Sequence, residues 1–301
     1  MRRRWFLAVV ALLAIFAAIE VSLRLVGLGN PPIAMRDDEL EYRLIPDKKY
    51  NRWGNRILIN SHGFRANDHS KEISGAEVRL LLLGDSVVYG NHFLDQDETI
   101  ALRLSAMLSS PSCHVRVIPM AVSSWGPINQ AAALSRHGTF KATEVAIVLS
   151  AHDLVDTPTA PDGSLVPYRL SPPIGAIGDL VEAIVERRFP PEPTTAAVPY
   201  ETRARASLAA LDAIKDRIET EGAGLLFVYN ATTPERISGT LDEGLRLFDW
   251  AERHDLETLD LGAVPDVTYR DTIHPDAGGA ARIARTLSEI YSDRLVCRDR
   301  R

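Results

Sequence analysis

The stretch Leu80-Leu81-Leu82-Leu83-Gly84-Asp85-Ser86 decides how this chain is read. Four consecutive leucines leave no polar face, as in a strand covered on both sides of a parallel sheet. The run stops abruptly at Gly84-Asp85-Ser86, where glycine admits a tight turn and a serine follows at once. Open α/β sheets place their ligands at the carboxyl ends of their strands, so Ser86 falls where a site is expected.

A strand–helix alternation runs onward from this stretch. Strands are predicted at residues 78–83, 114–119, 144–150, 224–229 and 256–260, and a short one at 56–60 ahead of them. Helices are predicted at residues 97–108, 127–137, 203–219, 241–254 and 276–291. Leu208, Leu211, Ile214 and Ile218 show the helical period, and Pro275-Asp276 suits a helix start. Alternation of this kind implies a parallel sheet with helices on both faces. Residues 157–200 break the rhythm: they hold nine of the 18 prolines, and only 177–187 reads as helix. An insertion this long is read as a lid over the site or a partner surface, with a solvated excursion as the plain alternative.

The second chemical signal is Asp271-Thr272-Ile273-His274. Serine, histidine and a carboxylate are what hydroxyl nucleophilic catalysis needs. Ser86 is the candidate nucleophile, His274 the general base and Asp271 the group that orients the imidazole. Gly-Asp-Ser and Asp-x-x-His are each weak alone, since strands often end in such turns and capping turns often carry a histidine. Their conjunction, each on a loop after a strand, is stronger. The Gly-x-Ser-x-Gly elbow is absent. Asp153 and Asp156 are expected to organise their loop, and His62, His92 and His114 to lie at the surface.

The N-terminus carries the third signal. Arg2, Arg3 and Arg4 precede an apolar run from Trp5 to Ile19, and Val21 to Leu28 is again mostly apolar. Fifteen apolar residues rise only about 22 Å, short of a hydrocarbon core of about 30 Å. Extension to Leu28, with Glu20 and Arg24 paired four apart, closes the gap. An uncleaved anchor over residues 1–28 is favoured over a cleaved signal peptide, because small residues two apart occur only at Gly27 and Gly29. Either reading exports the rest of the chain. The expected arrangement is a single pass through the cytoplasmic (inner) membrane, with the catalytic domain on the periplasmic or extracellular side. Residues 29–76 read as a tether and N-terminal extension, with 35–49 charged and patternless, and 77–301 as the main domain.

With 46% hydrophobic and 25% charged residues the chain is an ordinary folding composition. Its net charge of −6 excludes nucleic acid as the main partner. No Cys/His cluster has zinc spacing, so no metal is expected. Two free thiols at Cys113 and Cys297 are the expectation, one disulfide the alternative.

In Gly84-Asp85-Ser86 and Asp271-Thr272-Ile273-His274 the chain resembles the SGNH (GDSL-type) hydrolase superfamily. Two further features resemble a membrane-anchored bacterial subgroup. One is the Glu20-Val21-Ser22-Leu23-Arg24-Leu25 end of the apolar helix. The other is the Asn-x-x-Gly-Phe-Arg motif from Asn60 to Arg65. The resemblance implies a flavodoxin-like three-layer α/β/α sandwich with a five-stranded parallel sheet. It implies hydrolysis or transfer of acyl esters without metal or organic cofactor. It also implies an oxyanion hole made by Ser86 N–H, by Ser124 at the family's glycine position (Gly126 if the register slips), and by His152 where the family has asparagine. Asn60, Arg65 and Trp125 are candidate substrate contacts, with structural turns and core packing as the plainer roles.

The leading functional expectation is an esterase for O-acyl groups, O-acetyl among them, on a small molecule or an envelope polysaccharide. An O-acyltransferase with a sugar acceptor is the alternative. A catalytically impaired glycan-binding or assembly protein is the third reading, prompted by Ser124 and His152. Envelope polysaccharide assembly proteins are the expected protein partners.

Overall fold

The computed structural model describes residues 2–68, 70, 72–73, 77–158, 168–189, 198–295 and 297. The apolar N-terminus forms one helix, α1 (Arg2–Leu25), none of whose residues is buried. It is long and apolar enough to be a candidate single membrane span. The Glu20–Arg24 pair forms, Nε to Oε1 at 2.7 Å.

Residues 35–49 are not patternless. Antiparallel strands β1 (Ala34–Asp37) and β2 (Glu41–Leu44) make one hairpin, and β3 (Lys48–Arg52) and β4 (Asn55–Ile59) a second. The charges masked a period-two pattern: in Glu41-Tyr42-Arg43-Leu44 the tyrosine and leucine are buried while their neighbours are not. Arg52 pairs with Asn55 across a loop of only Trp53 and Gly54. Their φ values of 53° and 83° are those of the hairpin turns that match strand twist. Leu40, Tyr42, Leu44, Tyr50, Ile57, Ile59 and Phe64 all join the main core.

The main sheet then begins. β5 (Glu77–Gly84) leads through the four-residue α2 (Ser86–Tyr89) and α3 (Ile100–Leu108) to β6 (His114–Ala121). The predicted helix at 97–108 starts later, because Thr99 caps α3 and a separate turn at Gln96–Glu98 is capped by Asp95. α4 (Pro127–His137) returns to β7 (Glu144–Leu149). The insertion contributes α5 (Gly175–Arg188); residues 159–167 and 190–197 of the expected lid lie outside the described residues. α6 (Tyr200–Thr220), β8 (Gly224–Tyr229), α7 (Thr233–Ser238), α8 (Asp242–Arg253), β9 (Glu257–Asp260) and α9 (Ala277–Tyr291) complete the order.

The five strands lie in the order β6-β5-β7-β8-β9, all parallel. Helices cover both sides, α3 packing with α9 and α4 with α6. This is the expected flavodoxin-like α/β/α architecture. Leu80 to Leu83 are fully buried, and burial of each leucine contributes about 1.5–3 kcal/mol. From β5 the chain crosses one way to β6 and then the other way to β7. The switch point, where such sheets bind ligands, therefore lies between the ends of β5 and β7.

Cys113 and Cys297 form a disulfide, Cα–Cα 5.4 Å, so the expectation of two free thiols is corrected. They are 184 residues apart in sequence. Only the packing of α9 on α3, which leads into edge strand β6, brings the C-terminal end back to Cys113.

Candidate active site

Ser86 opens α2 directly after β5. Asp85 caps that helix, its Oδ1 accepting Val87 N–H at 2.9 Å. Gly84 is required here for space rather than for a left-handed turn. A Cβ on it would sit 2.6 Å from Val88 Cγ2 and 3.2 Å from the Val148 carbonyl oxygen. The glycine thus lets the turn press down on β7, and Ser86 keeps 8% of its surface exposed.

His274 Nε2 lies 2.9 Å from Ser86 Oγ, and His274 Nδ1 lies 2.8 Å from Asp271 Oδ2. The three predicted residues therefore meet as a Ser-His-Asp chain of hydrogen bonds, with serine and histidine 188 residues apart. Burial pushes the Asp271 carboxyl up, but the backbone N–H groups of His274 and Ile273 and the His274 ring outweigh it, leaving it below the usual carboxylate range. It is thus an anion at neutral pH, suited to hold a proton on Nδ1 and leave Nε2 as the base.

The loop that carries Asp271 and His274 is itself held. Arg270 N–H donates to the His274 carbonyl at 2.9 Å, and Tyr269 bridges to Pro275. Asn230, fully buried at the end of β8, donates to the Ile273 carbonyl at 3.2 Å and to Ser150 Oγ at 3.1 Å, and accepts from Tyr269 OH at 3.1 Å. Asp276 caps α9 immediately after, accepting Gly279 N–H at 2.8 Å. Phe93 stands edge-on to the His274 ring at 5.9 Å, and the Arg270 guanidinium lies 4.3 Å from the Phe93 ring centre. Asn230, Phe93 and Arg270 are not signalled by the sequence: Asn230 and Phe93 have no motif around them, and Arg270 precedes the Asp271–His274 motif without being part of it.

The oxyanion side is built differently. Ser124 has φ +60°, the left-handed region that favours glycine. Gly126 is needed for a different reason, since a Cβ there would meet the Asp156 carbonyl oxygen at 1.9 Å. The neighbouring chain is pinned by the N-terminal hairpin. Tyr42 OH donates to the Ser123 carbonyl at 2.6 Å, and Trp125 Nε1 donates to the Tyr42 carbonyl at 3.2 Å.

His152, in the short turn after β7, faces two carboxylates. Nε2 faces Asp85 Oδ2 at 3.4 Å and Asp153 Oδ1 at 3.9 Å. Asp85 Oδ2 also lies 3.1 Å from Ser86 Oγ, so one carboxylate oxygen stands between histidine and serine. Burial pushes His152 down, but Asp153, Asp85 and Asp156 together raise it to about 10. Asp85 is driven up by burial and down by His152, the Val87 N–H and Ser86, and ends below its ordinary value. Burial carries Asp153 well above its ordinary value and Asp156 to about 6. At neutral pH the arrangement is a histidinium–Asp85 ion pair. Asp153 organises its loop as expected, its Oδ2 accepting Ser150 N–H at 2.7 Å. Asp85, His152 and Asp153 are the one group among the described residues that brings metal-type ligand atoms within 4.8 Å of one another. The His152–Asp85 contact accounts for the closeness of these groups.

Three expected substrate contacts are buried instead. Trp125 is fully enclosed. Asn60 Oδ1 accepts the N–H groups of His62 and Phe64, each at 3.0 Å, and closes a turn. Arg65, 1% exposed, donates to the carbonyls of Asn91, Leu94, Tyr89 and Arg56. It therefore shapes the loop that carries Phe93 rather than meeting substrate. His92 also departs from expectation: it is half-buried, and burial with nearby Arg52, Arg270 and Arg65 lowers it to about 4.

No protein-family model matches the sequence, and no curated protein aligns with it significantly. Lipases and esterases are among the solved structures it resembles. One is the crystal structure of TesA, at 15% identity and TM-score 0.47, covering 72% of this chain and 99% of that one. A carbohydrate acetylesterase family member from Sinorhizobium meliloti matches at 15% identity and TM-score 0.44, covering 72% and 99%. The lipase/acylhydrolase from Enterococcus faecalis matches at 14% identity and TM-score 0.43, covering 74% and 99%. The fold assignment stands on the strand order and connections of this chain itself.

Proposed function

We propose that this protein is a serine esterase that hydrolyses O-acyl esters through an acyl-enzyme. The observation that carries the reading is the Ser86–His274–Asp271 hydrogen-bonded chain at 2.9 and 2.8 Å. Ser86 Oγ attacks the acyl carbon while His274 Nε2 takes its proton and returns it to the leaving alcohol. Water then enters along the same path, gives its proton to His274 and releases the acid. The N–H groups of Ser86 and Ser124 receive the oxyanion. His152 serves as a counter-ion: its positive charge offsets Asp85, whose carboxylate would otherwise oppose negative charge beside Ser86. It positions and neutralises Asp85 without touching substrate.

The Cys113–Cys297 disulfide supports an oxidising compartment for the catalytic domain. With α1 as an anchor, this favours the periplasmic or extracellular side of the cytoplasmic membrane. Acylated envelope polysaccharide, O-acetyl esters first, is the substrate class reachable there, with its assembly proteins as partners.

A fluorophosphonate probe tests the core of the proposal. It should label the wild type and fail on Ser86→Ala. Absence of labelling in a folded wild type, together with no ester turnover, would leave a non-catalytic binding protein. Acetate release measured beside acetyl transfer to a sugar acceptor separates hydrolysis from acyl transfer.

A further inference from the structure

Helix α5 is built inside out. Ile174 just before it is 93% exposed, and Val181, Ile184 and Val185 within it are 52%, 58% and 49% exposed. At 100° per residue Val181, Ile184 and Val185 fall on one face, with Ile174 exposed just ahead of the helix and Phe189, 69% exposed, at its end. The inward side carries Ala176 and an aspartate, Asp179, which is fully buried. Asp179 is paired with Arg52 and accepts Gly29 N–H at 2.7 Å. Here three aliphatic side chains face outward and one carboxylate, Asp179, faces inward, while Glu182 stays exposed and pairs with Arg169.

The N-terminus of α5 is fastened to the end of α1. Glu20 accepts the N–H groups of Ala176 and Ile177 at 2.9 and 3.0 Å while pairing with Arg24. Gly175, at φ +73°, packs against the Glu20 carboxylate. Glu20 is also where the unbroken apolar run of α1 ends. The exposed stripe of α5 thus begins at the level where a membrane-spanning α1 leaves the hydrocarbon, next to Leu25 and Val26, which are 77% and 45% exposed. Arg188 closes the helix with its guanidinium 5.4 Å from the Phe189 ring, an aliphatic stem beside an apolar face with a charged end free to reach headgroups.

We propose that α5 lies in the bilayer surface, its Val181–Ile184–Val185 stripe and the exposed Ile174 ahead of it set into the boundary between headgroups and acyl chains. This rests on the reading of α1 as a membrane span. A helix of this kind binds through its buried apolar area, and the short apolar run of α1 gains apolar thickness beside its exit. The consequence reaches the active site. Tyr168, whose hydroxyl accepts Ser123 N–H at 3.4 Å, is seven residues from Gly175. That length of chain spans at most about 25 Å, so the adsorbed helix holds the catalytic crevice close to the membrane.

The test uses the full chain in vesicles of phosphatidylcholine and phosphatidylglycerol, with single cysteines at Ile184→Cys, Leu12→Cys and Glu289→Cys. The native cysteines are tied in their disulfide, so each variant takes one environment-sensitive label without reductant. Labels at Ile184 and Leu12 should be quenched by doxyl lipids, shallow and deep respectively, and protected from an aqueous nickel chelate. The Glu289 label should be reached by nickel alone. Nickel access at Ile184 with Leu12 still in lipid overturns the proposal and leaves the span intact. Nickel access at Leu12 removes the span and the proposal with it. An Ile184 label reached by neither quencher means that protein covers the face, which also overturns it.

Discussion

The two sides of the candidate site are made in opposite ways. The triad side consists of short contacts between residues set by two local motifs, and each member has the partner its chemistry asks for. The oxyanion side depends on a serine in a glycine conformation and on a histidine turned toward a carboxylate. On the first side the sequence spacing already contains the geometry. On the second, the electrostatics depend on tertiary contacts: His152 brings a charge that Asp85 answers.

The largest effect should come from breaking the triad. Ser86→Ala or His274→Ala should lower kcat by about 10⁴-fold or more, read in ester turnover with melting temperature little changed. Next comes His152. Loss of one charge at this range from the reacting oxygen corresponds to a kcat loss of about 10²-fold. The counter-ion role predicts that His152→Asn loses this much and that adding Asp85→Asn restores most of it, since Asn still caps α2. Full activity in His152→Asn alone would instead make His152 a neutral oxyanion donor. The pH dependence has a definite sign. A histidine raised to about 10 in the folded state stabilises fully below its unfolded value near 6.5 and loses that contribution as pH rises through 10. Denaturant midpoints should therefore fall across that window in the wild type and less so in His152→Asn.

Asn230→Ala probes how far the triad side relies on support from outside its motifs. It leaves the Ile273 carbonyl and Tyr269 hydroxyl without their partner, a cost of about 1–3 kcal/mol in stability. A kcat loss larger than any rise in KM would mark it as a positioning residue for the His274 loop. The smallest effect belongs to Ser124. Ser124→Gly keeps the N–H and relieves the left-handed φ, so stability should change by no more than about 1 kcal/mol with kcat unchanged. Ser124→Val should cost about 1–2 kcal/mol, because a β-branched residue resists that conformation.

Ser86, Asp271 and His274 were legible in the sequence because each lies within a motif at a strand or helix boundary. The N-terminal hairpins were not, because charged residues interleave Tyr42, Leu44 and Tyr50 and hide a period of two. Asn60, Arg65 and Trp125 suggested substrate contacts and proved buried for a related reason. Residue type alone does not tell a polar group facing a crevice from one satisfying backbone groups beneath it.

The sequence by itself determined the sheet, the order of its elements and the three residues of the Ser86–His274–Asp271 chain, since continuous apolar runs and fixed spacings act over a few residues. Tertiary structure alone decided the rest. The Cys113–Cys297 bond, the His152–Asp85 pair, the Asn230 support and the Glu20 cap on α5 all join residues whose meeting depends on how distant elements pack. Their chemistry is set by burial and by neighbouring charge, and neither exists until the chain has folded.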